Sequence, residues 1–306
     1  MDNLNDISSR ISAVEETRKI TNAMKLVSSS RIKKILKELE YNTLYYERIT
    51  AAMTDILAAE GSSSFTHPYF VGHNKAVKSD AFLIFGGDKG LAGAYNHTLL
   101  DFAYESVRKE YNPSVITIGN TAQDFFRKHQ LPSSGYRLRF PLEQTLSNAR
   151  RIEAAVKDLY DNEYVDEVYL IYTSFFGKSK NKPVKQLLLP IQRGQNLIVP
   201  EDAAGSEMLY LPSAKVTFDL LIPQYLIAVI FDVLVQVYAG EQFARMNAMD
   251  ASTQNADEIL KKLRLQYNLA RQAAITNEIA EVAAASLILN EQYDEYLQTD
   301  ENERGF

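Results

Sequence analysis

There is no cysteine among the 306 residues. Disulfides, thiolate metal sites and a cysteine nucleophile are therefore excluded, and a reducing compartment fits. Chain-breaking residues are missing from both ends. The first glycine is Gly61 and the first proline Pro68, and from Gln224 to Asn290 there is no proline and a single glycine, Gly240. No run of about 18 apolar residues occurs, so no transmembrane helix is expected. The opening "MDNLNDISSR" has no apolar signal core and none of the arginine-rich, acid-poor character of a transit peptide, which reads as a soluble intracellular protein. Catalytic signatures are missing too. The four histidines are His67, His73, His97 and His129, none paired at i,i+4, and H-E-x-x-H does not occur. His67 and His73 flank "PYFVG", where a metal is the minority reading. Glu15 and Glu16 read as solvated helix charges, not as an acid/base pair. No catalytic residue, metal site or cofactor is expected on this chain.

What remains is ample for a packed core. Hydrophobic residues make up 46% and charged residues 24%, so disorder is not the main state, and the length suits one large domain or two ordinary ones. The net charge of −6 is unevenly placed: residues 291–306 carry −5, whereas residues 18–37 hold seven cations and no acid. That basic band is either a solvated helix face or a surface for an acidic partner or nucleic acid. The absence of interleaved aromatics and the pI of 5.4 weigh against nucleic acid.

Periodicity supplies the architecture. Ile7, Ile11, Val14, then Ile32, Ile35, Leu39, then Ile49, Met53 and Ile56 fall on one 3.5-residue series. Between them the series is occupied by Arg18, Thr21, Lys25 and Ser28, while the apolar residues are Ile20, Met24 and Val27. The expectation is that the buried stripe changes face inside the basic band. Met246, Met249, Thr253, Ala256, Leu260, Leu263, Tyr267, Ala270 and Ala274 form a second such series. Helices this long would span roughly 80 and 100 Å. Each needs a partner for its stripe, so the two ends predict an antiparallel coiled coil, over residues 1–60 and 213–290. Alanines crowd the end of the second helix and make it thin. Residues 291–306 form an acidic tail.

The middle, residues 76–212, reads as an inserted Rossmann-like α/β domain. "AFLIF" (81–85), "SVITIG" (114–119), "VDEVYLIY" (165–172) and "KQLLLPI" (185–191) read as strands. Residues 97–110, 121–129 and 142–160 have helical texture, and 174–183 and 193–213 read as loops. Alternation implies a partly parallel sheet, and the fold class is α/β. After the first strand comes "GGDKGLAGAYN" (86–96). It fails the P-loop pattern, because Lys89 precedes Gly90 and no Ser or Thr follows, and it fails G-x-G-x-x-G. A structural turn with Asn96 as helix N-cap is expected, with an anion site as the alternative.

At these residues the chain resembles a known family. "RISAVEETRKITNAMKLVSSSRIKK" (10–34) and "ARMNAMDASTQNADEILKKLRLQYNLARQAAITNEIAEV" (244–282) resemble the terminal helices of the gamma subunit of bacterial-type rotary F-type ATP synthases, and the glycine turn is similar to that family's. The resemblance spans roughly residues 4–285. It implies a rotor shaft without chemistry of its own, coupling ion-driven rotation of the membrane c ring to conformational change in catalytic beta subunits. The implied partners are alpha, beta and epsilon subunits and the c-subunit ring. No nucleic acid is expected, and membrane contact would be indirect, on the cytoplasmic face of the plasma membrane.

Met24, Lys25, Arg245, Arg271, Gln272, Thr276 and Glu278 match positions that face the alpha/beta ring in the family, whose beta subunits carry an acidic loop. Tyr210 and Leu211 fall on the side facing epsilon and the c ring. There "YLPS" lacks the acid that often precedes this proline, which puts a polar contact to the ring in doubt. The alternative reading is a coiled-coil interaction protein with a nucleotide-binding-like α/β domain, unrelated to ATPases.

Overall fold

A computed structural model describes residues 4–60, 66–73, 79–129, 135–176, 179–192, 211 and 213–303. The elements are α1 (Leu4–Glu60), α2 (Pro68–Val71), β1 (Asp80–Phe85), α3 (Tyr95–Val107), β2 (Ser114–Ile118), α4 (Asn120–Lys128), β3 (Arg137–Phe140), α5 (Leu146–Asp161), β4 (Glu167–Phe176), β5 (Ser179–Leu189) and α6 (Ala214–Glu303). The chain forms two compact units. One is Met24–Ala248, and the other joins Met1–Ala23 with Met249–Phe306.

The larger unit is built on a five-stranded sheet of order β3-β2-β1-β4-β5. The pairs β1–β2, β2–β3 and β1–β4 are parallel and β4–β5 is antiparallel. Successive strand residues point to opposite faces, and both faces are covered. Phe82, Ile84 and Val115 pack with Leu99 and Ala103 of α3 and Phe126 of α4. Leu83, Phe85, Ile116 and Ile118 pack with Ile152 and Val156 of α5, Met53 and Leu57 of α1, and a run of α6 from Phe218 to Val237. Each fully buried Leu, Ile or Val in that run is worth about 1.5–3 kcal/mol.

Three features of α6 add to what the sequence pattern showed. An 18-residue window within Ala214–Leu287 has a mean hydropathy of 2.0, long and apolar enough for a membrane span by composition, which apolar run length did not reveal. Two-thirds of that window is buried inside the structure (67%), so its apolar surface is core. The helix also passes through Pro223. A proline in a helix interior costs about 3 kcal/mol, here offset by the burial of Phe218 and Ile222 on the preceding turns. Finally, residues 291–303 continue α6 instead of leaving it. Elsewhere, 174–183 read as loop from its Lys, Ser and Pro content. Its described residues belong to β4 and β5, with Pro183 opposite Thr173 at the sheet edge, where a missing N–H is tolerated. Strand β3 and the short α2 went unrecognised.

In the smaller unit the two helices run antiparallel. Glu15 pairs with Arg264 at 2.7 Å, Arg18 with Asp257 at 3.0 Å, and Thr21 with Thr253 through their hydroxyls at 2.8 Å. The buried face does not change inside the basic band. Ile7, Thr21, Ser28, Ile35, Asn42 and Ile49 are all buried on the original series, while Ile20, Leu26 and Val27 are exposed. The reason is size and hydrogen bonding. Thr21 is small enough for close helix approach and finds a partner across the seam, and Asn42 donates to the Ala228 carbonyl at 3.1 Å.

One glycine in the sheet has no substitute. Gly119 follows β2 at φ +90°, and a Cβ there would stand 2.2 Å from the Gly86 carbonyl oxygen. Gly119→Ala is expected to destabilise the chain by roughly 3 kcal/mol or more, from backbone strain and a backbone clash together. The shift of the urea midpoint of the full-length chain measures it.

Candidate partner-binding surfaces

The glycine turn lies at the carboxyl ends of β1 and β2. In open parallel α/β sheets this is where ligands bind, with backbone amides turned toward a phosphate. Here the space is taken by the chain itself. The Gly87 amide donates to Asn96 Oδ1 at 2.9 Å, and the Asp88 amide to Glu241 Oε2 at 3.2 Å. Arg245 Nη2 donates to the Lys89 and Gly90 carbonyls at 3.1 and 3.0 Å and also pairs with Glu241. Asp88 Oδ1 accepts from the Asn120 amide at 2.9 Å, capping α4 where Gly119 has no side chain to do so. The Asn96 side chain and the buried Glu241 carboxylate thus occupy two amides that a phosphate would need, and the carboxylate's charge repels one. The turn is structural, as expected. Asn96 serves it from inside α3, however; the N-cap position is Ala94.

Helix α6 approaches this turn closely because of Gly240. A Cβ there would stand 3.1 Å from the Tyr95 hydroxyl, which donates to the Val237 carbonyl at 3.1 Å. Burial raises the pKa of Tyr95 far above the usual phenol range. Arg245, read from the sequence as a ring-facing residue, is only 5% exposed, and its guanidinium serves the turn. Glu241 was not recognised, although its i,i+4 spacing to Arg245 is the signal for such a pair. The turn presents Lys89, Gly90 and Leu91 outward, Leu91 62% exposed at φ +65°.

The other candidate positions lie on helix faces. Met24 and Lys25 are half-buried on α1, beside the exposed Ile20, Leu26 and Val27. Arg271, Gln272, Thr276 and Glu278 are exposed on α6. The Thr276 hydroxyl donates to the Gln272 carbonyl at 2.8 Å, leaving its oxygen as an outward acceptor. On the same stretch Ile275, Ile279, Val282 and Leu289 are exposed at helical spacing, Ile279 to 64%. The seam series itself is buried or half-buried from Met249 to Ala274. Leu211 is 79% exposed, and Tyr210 lies outside the described residues. His67 caps α2 and meets Asp219 at 2.9 Å, and His73 meets the Tyr160 carbonyl at 3.0 Å. Among the described residues no group of three His, Asp or Glu is placed to hold a metal.

The Glu241–Arg245 pair is testable in isolation. Arg245→Leu leaves a buried carboxylate and two carbonyls without their donor, and is expected to cost about 3–5 kcal/mol. Adding Glu241→Leu should recover part of that loss, because the stranded charge is gone. A double-mutant cycle by chemical denaturation gives the coupling.

Comparison with known proteins agrees with this architecture. Residues 3–287 match the family model described as ATP synthase. The ATP synthase gamma chain of Acetivibrio thermocellus is 34% identical over 298 residues, covering 94% of this chain and 99% of that one. That of Ruminiclostridium cellulolyticum is 36% identical over 296 residues, with coverage of 94% and 99%. Among solved structures, a chain of the Euglena gracilis mitochondrial ATP synthase (OSCP/F1/c-ring, rotational state 3) matches with TM-score 0.64 and 13% identity over 94% of each chain. A chain of the Tetrahymena thermophila mitochondrial ATP synthase central stalk and c-ring matches with TM-score 0.56 and 20% identity, over 76% of this chain and 98% of that one. The structural matches carry the fold and the sequence relatives carry the family: the chain belongs to the ATP synthase gamma chain family.

Proposed function

We propose that this chain is the central rotor shaft of an F-type ATP synthase, a non-catalytic subunit that couples rotation of a membrane c ring to conformational change in catalytic beta subunits. The observation that supports it best is the apolar stripe Ile275, Ile279, Val282 and Leu289. An exposed, ordered apolar stripe on a helix marks an interaction surface. A sleeve formed by alpha and beta subunits would cover it while the shaft turns. Polar side chains on the same stretch, Arg271, Gln272, Thr276 and Glu278, then supply contacts that differ with angle. On α1, the acid-free band of residues 18–37 has the charge to meet an acidic loop of beta, with Met24 and Lys25 at its middle. Leu211 and Tyr210 belong to the side facing epsilon and the c ring, so the chain would sit peripherally at the cytoplasmic face of the membrane. The nucleotide-binding alternative is disfavoured, because Glu241 already holds the Asp88 amide and Arg245 the Lys89 and Gly90 carbonyls.

Affinity purification through a tag on this chain, from its own cells, tests the reading directly. Alpha and beta subunits are expected in about threefold molar excess, with ATPase activity, as closed rings of alternating subunits imply. Recovery of the chain alone would sink it. Within the assembled complex, Lys25→Glu places like charge against the acidic partner and is expected to lower ATP-driven proton pumping several-fold relative to ATP hydrolysis. Unchanged coupling would remove Lys25 from the contact.

A further inference from the structure

Between α1, the β4–β5 edge of the sheet and α6 lies a cavity of about 380 Å³ that neither the sheet nor the turn requires. Its walls are apolar at Leu39, Val229 and Val233 and aromatic at Tyr46, Tyr172 and Phe175. Asp232 is the only carboxylate among the described lining residues, and no Lys, Arg or His is among them. The carboxylate is held in place. Gln236 Nε2 donates to Asp232 Oδ2 at 2.5 Å, and Gln236 Oε1 accepts from the Phe175 amide at 3.3 Å, which fixes the amide from both sides. Asn42 of α1 is near enough to the same carboxyl to favour its ionised form. The volume lies within the range of small-ligand pockets, and the lining is of the expected kind, apolar with a few convergent polar groups.

We propose that this cavity is a binding site for a small alkylammonium ion, with the ammonium on Asp232 and the hydrocarbon against Leu39, Val229 and Val233. A lone carboxylate in an apolar and aromatic enclosure is the donor set that recognises such a cation, through charge-assisted hydrogen bonds and ring faces. A half-buried carboxylate with no cation among the described residues that line its cavity is costly to keep ionised, and an incoming ammonium offsets that cost. The ligand would tie α1 to α6 and to the sheet within the larger unit.

The charge state gives the proposal a pH signature. Burial raises the Asp232 pKa, and Gln236 and Asn42 oppose the rise without cancelling it. The other titratable groups that face the cavity are Tyr46 on α1 and Tyr172 on β4. Both are raised by burial, Tyr172 to about 12, and stay neutral where Asp232 titrates. The folded chain therefore holds the Asp232 proton longer than the unfolded chain does. Without ligand, its contribution to stability falls as pH rises past the ordinary carboxylate value. Ammonium binding runs the other way, because it needs the ionised form, and its affinity rises over the same interval.

Butylammonium is the probe, with butanol as its neutral counterpart, titrated into the full-length chain and read by calorimetry and by the thermal midpoint. The expected result is saturable binding of butylammonium with Kd of about 1 mM or tighter, an upward shift of the midpoint, and no such shift with butanol. Asp232→Asn keeps the shape and the acceptor for Gln236, and is expected to abolish binding and flatten the pH dependence. Thr43→Phe, at the exposed rim of the cavity, blocks entry without touching the carboxylate and is expected to abolish binding while leaving that pH dependence in place. Equal binding of butanol, retained binding in Asp232→Asn, or no binding to the unaltered chain would overturn the proposal.

Discussion

A helix of 90 residues is stable in water only where something covers its apolar stripe, and this requirement organises the molecule. Helix propensity alone leaves an isolated helix marginal. Along Phe218–Val237 the cover is the sheet, α5 and α1. From Met249 to Ala274 it is the first part of α1, which meets α6 through Thr21–Thr253 and the pairs at Arg18 and Glu15. Those exposed ion pairs contribute little, about 0–1 kcal/mol each. Their use is register: they oppose specific residues along an antiparallel seam. Burial of Ile7, Met249, Ala256 and Leu260 supplies the stability.

The same helix decides what the α/β unit cannot be. A half-Rossmann sheet normally opens a crevice at its strand ends, and the glycine turn after β1 sits there. Gly240 lets α6 close on Tyr95, and the next residue, Glu241, and Arg245 one turn beyond it reach the backbone at the strand ends. A carboxylate takes the Asp88 amide, and a guanidinium takes two carbonyls. Each polar group at the strand ends that the pair touches is satisfied from within the chain, as buried groups require. The architecture of a nucleotide-binding unit has become a rigid mount for a helix, with Leu91 turned outward. Fold alone would have suggested the wrong chemistry.

Much of this was legible from residue spacing. The 3.5-residue series placed the seam of both terminal helices, and strand–helix alternation placed β1, β2, β4 and the parallel sheet. Illegible features share one cause: tertiary contacts outweighed local pattern. Thr21 and Ser28 looked like part of a break in the apolar stripe, yet each is buried on the seam. Ile20 and Val27 looked like the buried alternative and are exposed. Strand β3, four residues with two exposed arginines, is held by pairing to β2 rather than by its own propensity. Among the candidate surfaces, Arg271, Gln272, Thr276 and Glu278, read from the sequence as facing the alpha/beta ring, are exposed on α6. Nothing in the sequence warned that Arg245 would be buried, because burial depends on Lys89 and Gly90, more than 150 residues away.

Past Ala274 the cover runs out while the apolar periodicity does not. Ile275, Ile279, Val282 and Leu289 continue at helical spacing with their side chains exposed. Solvated helices carry polar residues on every face. A chain that keeps Ile and Val at i, i+4 and i+7 beyond its last internal partner carries a stripe that water disfavours. The polar residues on and just before that stretch, Arg271, Gln272, Thr276 and Glu278, keep it from being a uniform hydrophobic face. A turning shaft needs both properties. Apolar area gives a sleeve something to close on, and interruptions by charge and hydrogen-bonding groups make successive angles inequivalent without making any one of them permanent. Ala270, Ala273, Ala274 and Ala280 keep this stretch thin, which limits the surface that any one contact on it could bury.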